Sequence, residues 1–286
     1  LSLVGDTLAQ LTINGNFTNG NATTLRCPSS QEWVFNGNSR NTANGHFRFS
    51  NGTIKLRGAI SSTYFRLKQG DYFNNLIIET PSRINLYYTT GYSDTLRVNG
   101  DLTINPRSGG TSGIQANQFK MMMRGDWINN AGTSAFVTGA GQTHSVIFWE
   151  PFERQEIRGN TNFMTIGIAN ESEEGVHFYN QVTAISLIVT NPVWSHGTFT
   201  VNSADIDDNL SAIHLADGSV MQISNLNQGG LIHVHDGYLT VNDLNQNSIT
   251  GSYVIDNGSM ELKQSEYTTT HDLYYANLTI NGGIMK

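Results

Sequence analysis

Residues 212–246 read AIHLADGSVMQISNLNQGGLIHVHDGYLTVNDLNQ, and the phrase occurs twice. IHLADGS returns as IHVHDGY, and ISNLNQ returns as VNDLNQ. Ile213 and Ile232 are 19 residues apart, as are Asp217 and Asp236, and Leu226 precedes Leu244 by 18. A further copy, YVIDNGSMEL, puts Asn257 in the place of Asp236, and an earlier one, HFRFSNGTIKL, puts Asn51 there. Each copy carries two apolar residues at alternate positions, an Asx-Gly corner, and two more at alternate positions. Alternation with period two is a strand with one buried face. Asn and Gly supply the positive φ that a tight corner needs.

Such corners alone would also suit hairpins, so a β-sandwich array is the alternative. Hairpins do not need the same side chain at the same corner every 18–21 residues. A solenoid does, because each coil lies on the one before and like residues stack in ladders. The expected fold is therefore all-β: a right-handed parallel β-helix, running as a single continuous solenoid over residues 1–286. Coils of roughly 18–25 residues would give about 11–15 of them. The expected core ladder is Phe47, Ile54, Ile213, Ile232, Val234, Val241 and Ile255. A second phrase recurs as LTINGNFTNG, LRVNGDLTIN and MMMRGDWINN. That alignment places Arg124-Gly125-Asp126 in the slot of Asn14-Gly15-Asn16 and Asn99-Gly100-Asp101, so the repeat itself accounts for the Arg-Gly-Asp tripeptide.

Composition agrees with many short strands. Charged residues make up only 14% of the 286, Gly numbers 29 and Asn is about as frequent, while both are poor helix formers. Net charge is −7 and no stretch is densely basic, which argues against nucleic acid as a partner. No run reaches the ~18 apolar residues of a membrane helix, so membrane insertion is not expected. The start, LSLVGDTLAQLTING, has neither the basic start nor the apolar segment of a leader. The chain begins and ends inside repeat-like phrases, so it reads as a fragment of a longer protein, and its start does not bear on export. The lone Cys27 reads as a small buried residue.

The stretch GDWINNAGTSAFVTGAGQTHSVIFWEPFERQEIRGNTNFMTI, Gly125 to Ile166, carries Trp127, Asn130 and Gly132, then Val146 and Phe148, then Gln155, Ile157 and Gly159, then Phe163 and Ile166. In this it resembles the repeat of large secreted, adhesin-like surface proteins of the Bacteroidota and related phyla. That resemblance implies a parallel β-helix, an extracellular setting on the bacterial cell surface, and a passenger or stalk role without a reaction.

Several groups carry candidate chemistry. In LIHVHDG, Ile232 and Val234 point inward, so His233 and His235 point outward. The 19-residue spacing stacks His214 on His233 about 5 Å away. Three imidazoles on one face are ligand types for Zn²⁺ or Cu²⁺. A solvated outward ladder is the plainer reading, and no metal site is assigned. Asp217 and Asp236 stack at a corner, where calcium is an alternative to a purely turn-forming role; no other cofactor is expected. Tyr87 and Tyr92, with Tyr88, are the candidate sugar-stacking aromatics. Asp205, Asp207 and Asp208 form the best acid/base cluster for glycoside cleavage. No Arg-x-Lys follows them, so they read as a solvated loop and the chain as no enzyme.

The expected function is thus a non-catalytic structural segment, a stalk or fibre-forming repeat, whose partners are other copies or neighbouring domains. Its rivals are a carbohydrate-binding or adhesin module and a polysaccharide hydrolase or lyase. The ligand-facing candidates are Tyr87, Tyr92, His214, His233, His235, Asp217 and Asp236.

Overall fold

A computed structural model describes residues 10–19, 24–25, 31–37, 39–41, 46–48, 52–58, 67–86, 93–207, 211–244, 251–262 and 277–286. The chain is all-β, a β-solenoid of about ten turns built from parallel sheets. It has fewer turns than the expected 11–15, because some coils are longer than a 19-residue repeat suggests. Read from the strand register, a coil runs from 17 residues (Val176 to Val193) to 30 (Ile84 to Ile114). Among the described residues no helix is long and apolar enough to cross a membrane.

Two compact units divide the chain: Leu1–Ile147 with Gly159–Asn162, and Phe148–Arg158 with Phe163–Lys286. In the first, Gln10–Ile13, Glu32–Phe35, Thr53–Leu56, Asn75–Ile78, Leu102–Ile104 and Trp127–Asn129 lie side by side as parallel neighbours. Their register places Trp33, Ile54, Leu76, Leu102 and Trp127 in one buried column. On a second wall, Thr95–Val98 pairs with Lys120–Met123, and Leu96, Met121, Val98 and Met123 face in.

The corners of this unit show how the repeat is held. Asp126 N donates to Asp101 Oδ1 (2.9 Å), and Asp101 N donates to Asn75 Oδ1 (2.9 Å). The Asp of Arg124-Gly125-Asp126 therefore stands in a coil-to-coil ladder, as the repeat reading requires. Gly125 does stack on Gly100, but Gly15 belongs elsewhere. A Cβ on Gly37 would lie 2.2 Å from the Gly15 carbonyl oxygen, and one on Gly58 would lie 2.1 Å from that of Gly37. Gly15, Gly37 and Gly58 thus share a different corner, one that follows the strand rather than precedes it. The phrase LTIN at residues 11–14 matches LTIN at 102–105, not LRVN at 96–99; similar words fall on different walls.

In the second unit, Gln155–Arg158, Val176–Phe178, Val193–Ser195, Ala212–Leu215, Leu231–Val234, Ser252–Ile255 and Asn277–Ile280 form one parallel wall. Val176, Val193, Ile213, Ile232 and Tyr253 make one inward column, while Leu215, Val234 and Ile255 continue a second. Burying an Ile, Leu or Phe contributes about 1.5–3 kcal/mol, against about 0.5–1.5 for a typical hydrogen bond. The inward columns, not the corners, therefore set the register. Ile54, Ile213, Ile232, Val234, Val241 and Ile255 are all buried as expected. The Phe47 strand pairs with Thr24–Leu25, but its side chain lies outside the described residues, as do Phe49, Asn51 and Cys27.

The opposite wall of this unit bends within its strands. Thr198–Ile206 buries Phe199 and Val201, exposes Asn202 and Ser203 together, then buries Ala204 and Ile206. Gln181–Val189 and Val220–Gln228 bend at the same register. Two successive outward residues break the period of two and turn the chain, and this is the structure behind the repeated ISNLNQ and VNDLNQ.

Candidate functional site

The outer face of the second unit's first wall carries two columns of side chains. The register pairs Glu156, His177, Trp194, His214, His233, Val254 and Thr279 in one column. Two residues further along each coil stand Arg158, Tyr179, His196, Ala216, His235, Asp256 and Asn281. Their inward neighbours fill the core, so these side chains all emerge on one face, at the ~4.8 Å coil spacing.

Rings dominate the middle of both columns, and from His177 to His214 they lie nearly parallel, while His233 is tilted by 50° to His214 and by 31° to His235. Trp194 stacks on His214 with centroids 4.1 Å apart and planes 11° apart, and on His177 at 5.9 Å. Tyr179 stacks on His196 at 4.8 Å and 10°, and the Arg158 guanidinium covers its other face at 5.2 Å. His214 meets His235 at 5.5 Å and His233 at 5.7 Å, and His233 meets His235 at 3.6 Å. Ring faces are consumed within the stack, so ring edges and nitrogens are left to make polar contacts.

The nitrogens are linked across coils. His177 Nδ1 and His196 Nε2 are 2.8 Å apart, and His214 Nδ1 and His235 Nε2 are 3.2 Å apart. Asp256 Oδ2 lies 2.8 Å from His233 Nε2 and 3.7 Å from His235 Nδ1. The other Asp256 oxygen accepts from Asn281 Nδ2 at 2.8 Å. The Asn281 bond, and then the His233 bond, hold the Asp256 carboxyl below its usual range, so it is ionised and accepts only. His233 Nε2 must then be the donor, and the lone pair of that ring sits on Nδ1.

Burial holds His214 largely neutral: desolvation first, then His235, His233 and His177, push it down to about 4. His235 is lowered by desolvation and then by His233; His177 by desolvation and then by His196; His196 by desolvation and then by Arg154. Burial thus favours the neutral imidazole, with a lone pair to share, at His177, His196, His214 and His235. His214, His233 and His235 each bring one ring nitrogen to within 4.8 Å of the others.

The in-register stack of His214 on His233 is as the 19-residue spacing implies. The length of the ring column is not, for Trp194, His177, His196 and Tyr179 escaped the sequence reading, and so did Asp256. They sit 20, then 17, residues before their partners, so a search at constant spacing loses them. Asp217 and Asp236 stand exposed at consecutive corners, where Gly218 N donates to the Asp236 carbonyl at 2.9 Å. Tyr87, Tyr88 and Tyr92 lie outside the described residues, as does Asp208. Asp205 accepts from Asn227 Nδ2 at 2.7 Å on the bent wall, and Asp207 is exposed beyond it.

A second feature of this unit adjoins one end of the ring column, where His177 Nε2 lies 3.0 Å from the Glu174 carbonyl oxygen. Phe152, Glu153 and Arg154 face Ser172, Glu173 and Glu174 across an open groove of about 600 Å³. Arg154 bridges Glu174 (3.3 Å) and Glu156 (3.2 Å). Phe152 is 83% exposed on the first of these two loops.

Searches against protein-family models, curated proteins and solved structures find no match to the chain.

Proposed function

We propose that this chain is a non-catalytic structural segment of an extracellular bacterial surface protein, a stalk or fibre-forming spacer. One observation carries the reading. In the second unit seven strands run in register from Gln155 to Ile280, and from Val176 to Ile255 the columns behind them are filled mainly by packed apolar side chains. Such a stack resists bending because each coil is bonded to its neighbours along the whole wall. The extracellular setting rests on the resemblance of Gly125–Ile166 to secreted surface repeats. Other copies of the chain or neighbouring domains are the partners this role implies.

Electron cryo-microscopy of the native, full-length material tests the proposal. Rods, filaments or laterally bundled chains in which this solenoid forms the shaft are the expected result. Compact particles that cleave polysaccharide, with cleavage lost in an Asp205→Asn/Asp207→Asn variant, would replace it with an enzymatic reading.

A further inference from the structure

We propose that His214, His233 and His235 form a three-imidazole site for a divalent transition-metal ion of the Zn²⁺ or Cu²⁺ type, with Asp256 fixing the orientation of His233. The geometry of three side chains on two adjacent coils carries this. His214 and His233 are register partners on neighbouring strands, and His235 is the next outward residue after His233. Their ligand nitrogens lie within 4.8 Å of one another, and one pair is already at 3.2 Å. A tetrahedral ion with Zn–N bonds of about 2.0–2.1 Å holds its ligand nitrogens roughly 3.3 Å apart. The closest pair thus matches the coordination edge, and the third nitrogen already stands within 4.8 Å of both.

The surroundings are those of a built site. Asp256 accepts a hydrogen bond from His233 Nε2–H and leaves Nδ1 as the ligand atom, the carboxylate–histidine pairing that orients metal-bound imidazoles. Asn281 in turn holds the second Asp256 oxygen. Trp194, stacked at 4.1 Å on His214, limits the swing of that ring. All three ligands stand on, or directly beside, strands paired on both sides, so their backbones are rigid. Imidazole nitrogen selects Zn²⁺ and Cu²⁺ over Ca²⁺ and Mg²⁺, which take oxygen. Three protein ligands leave a fourth position on the solvent side, open to water or to a ligand from a neighbouring molecule.

Titration of the whole protein with Zn²⁺ in a calorimeter, after stripping with a chelator, is the test. One equivalent should bind, with no heat from Ca²⁺ or Mg²⁺. Asp256→Ala should weaken binding roughly 10- to 100-fold. His214→Ala and His235→Ala should each weaken it further than that. Cu²⁺ should quench the Trp194 fraction of the fluorescence, and that fraction should vanish in Trp194→Phe. Absence of a stoichiometric site in the unsubstituted protein overturns the proposal without any variant having to fold. So does affinity no tighter than free imidazole, or full binding retained by the His214→Ala/His233→Ala pair. That last outcome would move the ion to His177 and His196.

Discussion

Tyr253 occupies the core position that Ile213 and Ile232 hold on the preceding coils, and it is 1% exposed. Its hydroxyl has no hydrogen-bond partner among the described residues, and burial pushes its pKa well above the usual phenol range. An unsatisfied buried hydroxyl costs about 1–3 kcal/mol, while the ring itself packs as an aromatic should. Tyr253→Phe keeps the ring and deletes the liability. It should therefore raise the thermal midpoint, with a gain of up to about 1–3 kcal/mol in urea unfolding; a loss would mean that the hydroxyl is bonded after all. Gly159 argues the opposite case. Its φ is +84°, and a Cβ there would lie 1.9 Å from the Asn129 carbonyl oxygen. Backbone strain and backbone collision act together, so Gly159→Ala should destabilise by at least the ~1–3 kcal/mol of a strained φ alone. Equilibrium denaturation checks it, and a neutral result would show that the Asn129 carbonyl can move aside.

At the scale of the strand, the decisive device is the pair of outward residues that bends one wall. Asn202 and Ser203 face out together between Val201 and Ala204. Neither does much by itself, so Asn202→Ala or Ser203→Ala should stay within about 0.5 kcal/mol of the parent. Deleting Asn202 is different. It removes the bend, so the strand must either straighten out of match with the bent strands Gln181–Val189 and Val220–Gln228 on both sides or keep the bend and turn Ala204 and Ile206 outward, and unfolding in urea should show a loss of several kcal/mol. Equal effects from the deletion and the substitutions would remove the bend as the reason for the pattern. This device was legible in the sequence: ISNLNQ and VNDLNQ spell apolar, polar, polar, apolar at a spacing of 18. So was the inward ladder, because Ile213, Ile232 and their neighbours alternate strictly. The rings were legible only where coil length held constant. His214 and His233 announce each other at 19 residues, whereas His177 and Trp194 do not, because loops between walls change length freely while the walls stay in register. Asp256 was invisible for another reason, since its role is fixed by a hydrogen bond across coils and not by its own periodicity. The Gly15 corner misled because NGN at residues 14–16 and NGD at 99–101 are nearly the same word at two different corners.

For the whole chain, the histidines set how stability depends on pH. His144, in the first unit, is fully buried against Phe136 (centroids 4.4 Å), and desolvation lowers it to about 4. In the second unit His214 is lowered to about 4, chiefly by desolvation, and His177, His196 and His235 are lowered too. In the unfolded chain these rings take a proton near pH 6.5. Between about 6.5 and 4, then, the unfolded state binds more protons than the folded one, and stability must fall as pH falls. Above that window all five rings are neutral in both states, and their contribution is complete. Carboxylates extend the same trend at its acid end. Asp256 is held low by Asn281 and His233, and Glu79 is held low by Lys55, Arg57 and Arg107 although burial opposes it. Protonating either one releases a contact that only the folded state makes. Because each unit contains a depressed histidine, neither should escape. The thermal midpoint should be flat above neutrality and then decline steadily down to about pH 4, with circular dichroism in the strand region reporting the loss. His144→Gln and His214→Gln should each flatten part of that decline, and the double substitution should flatten more of it than either alone. A midpoint that rises on acidification would mean that these rings gain protons on folding, and the buried, neutral column described here would then be wrong.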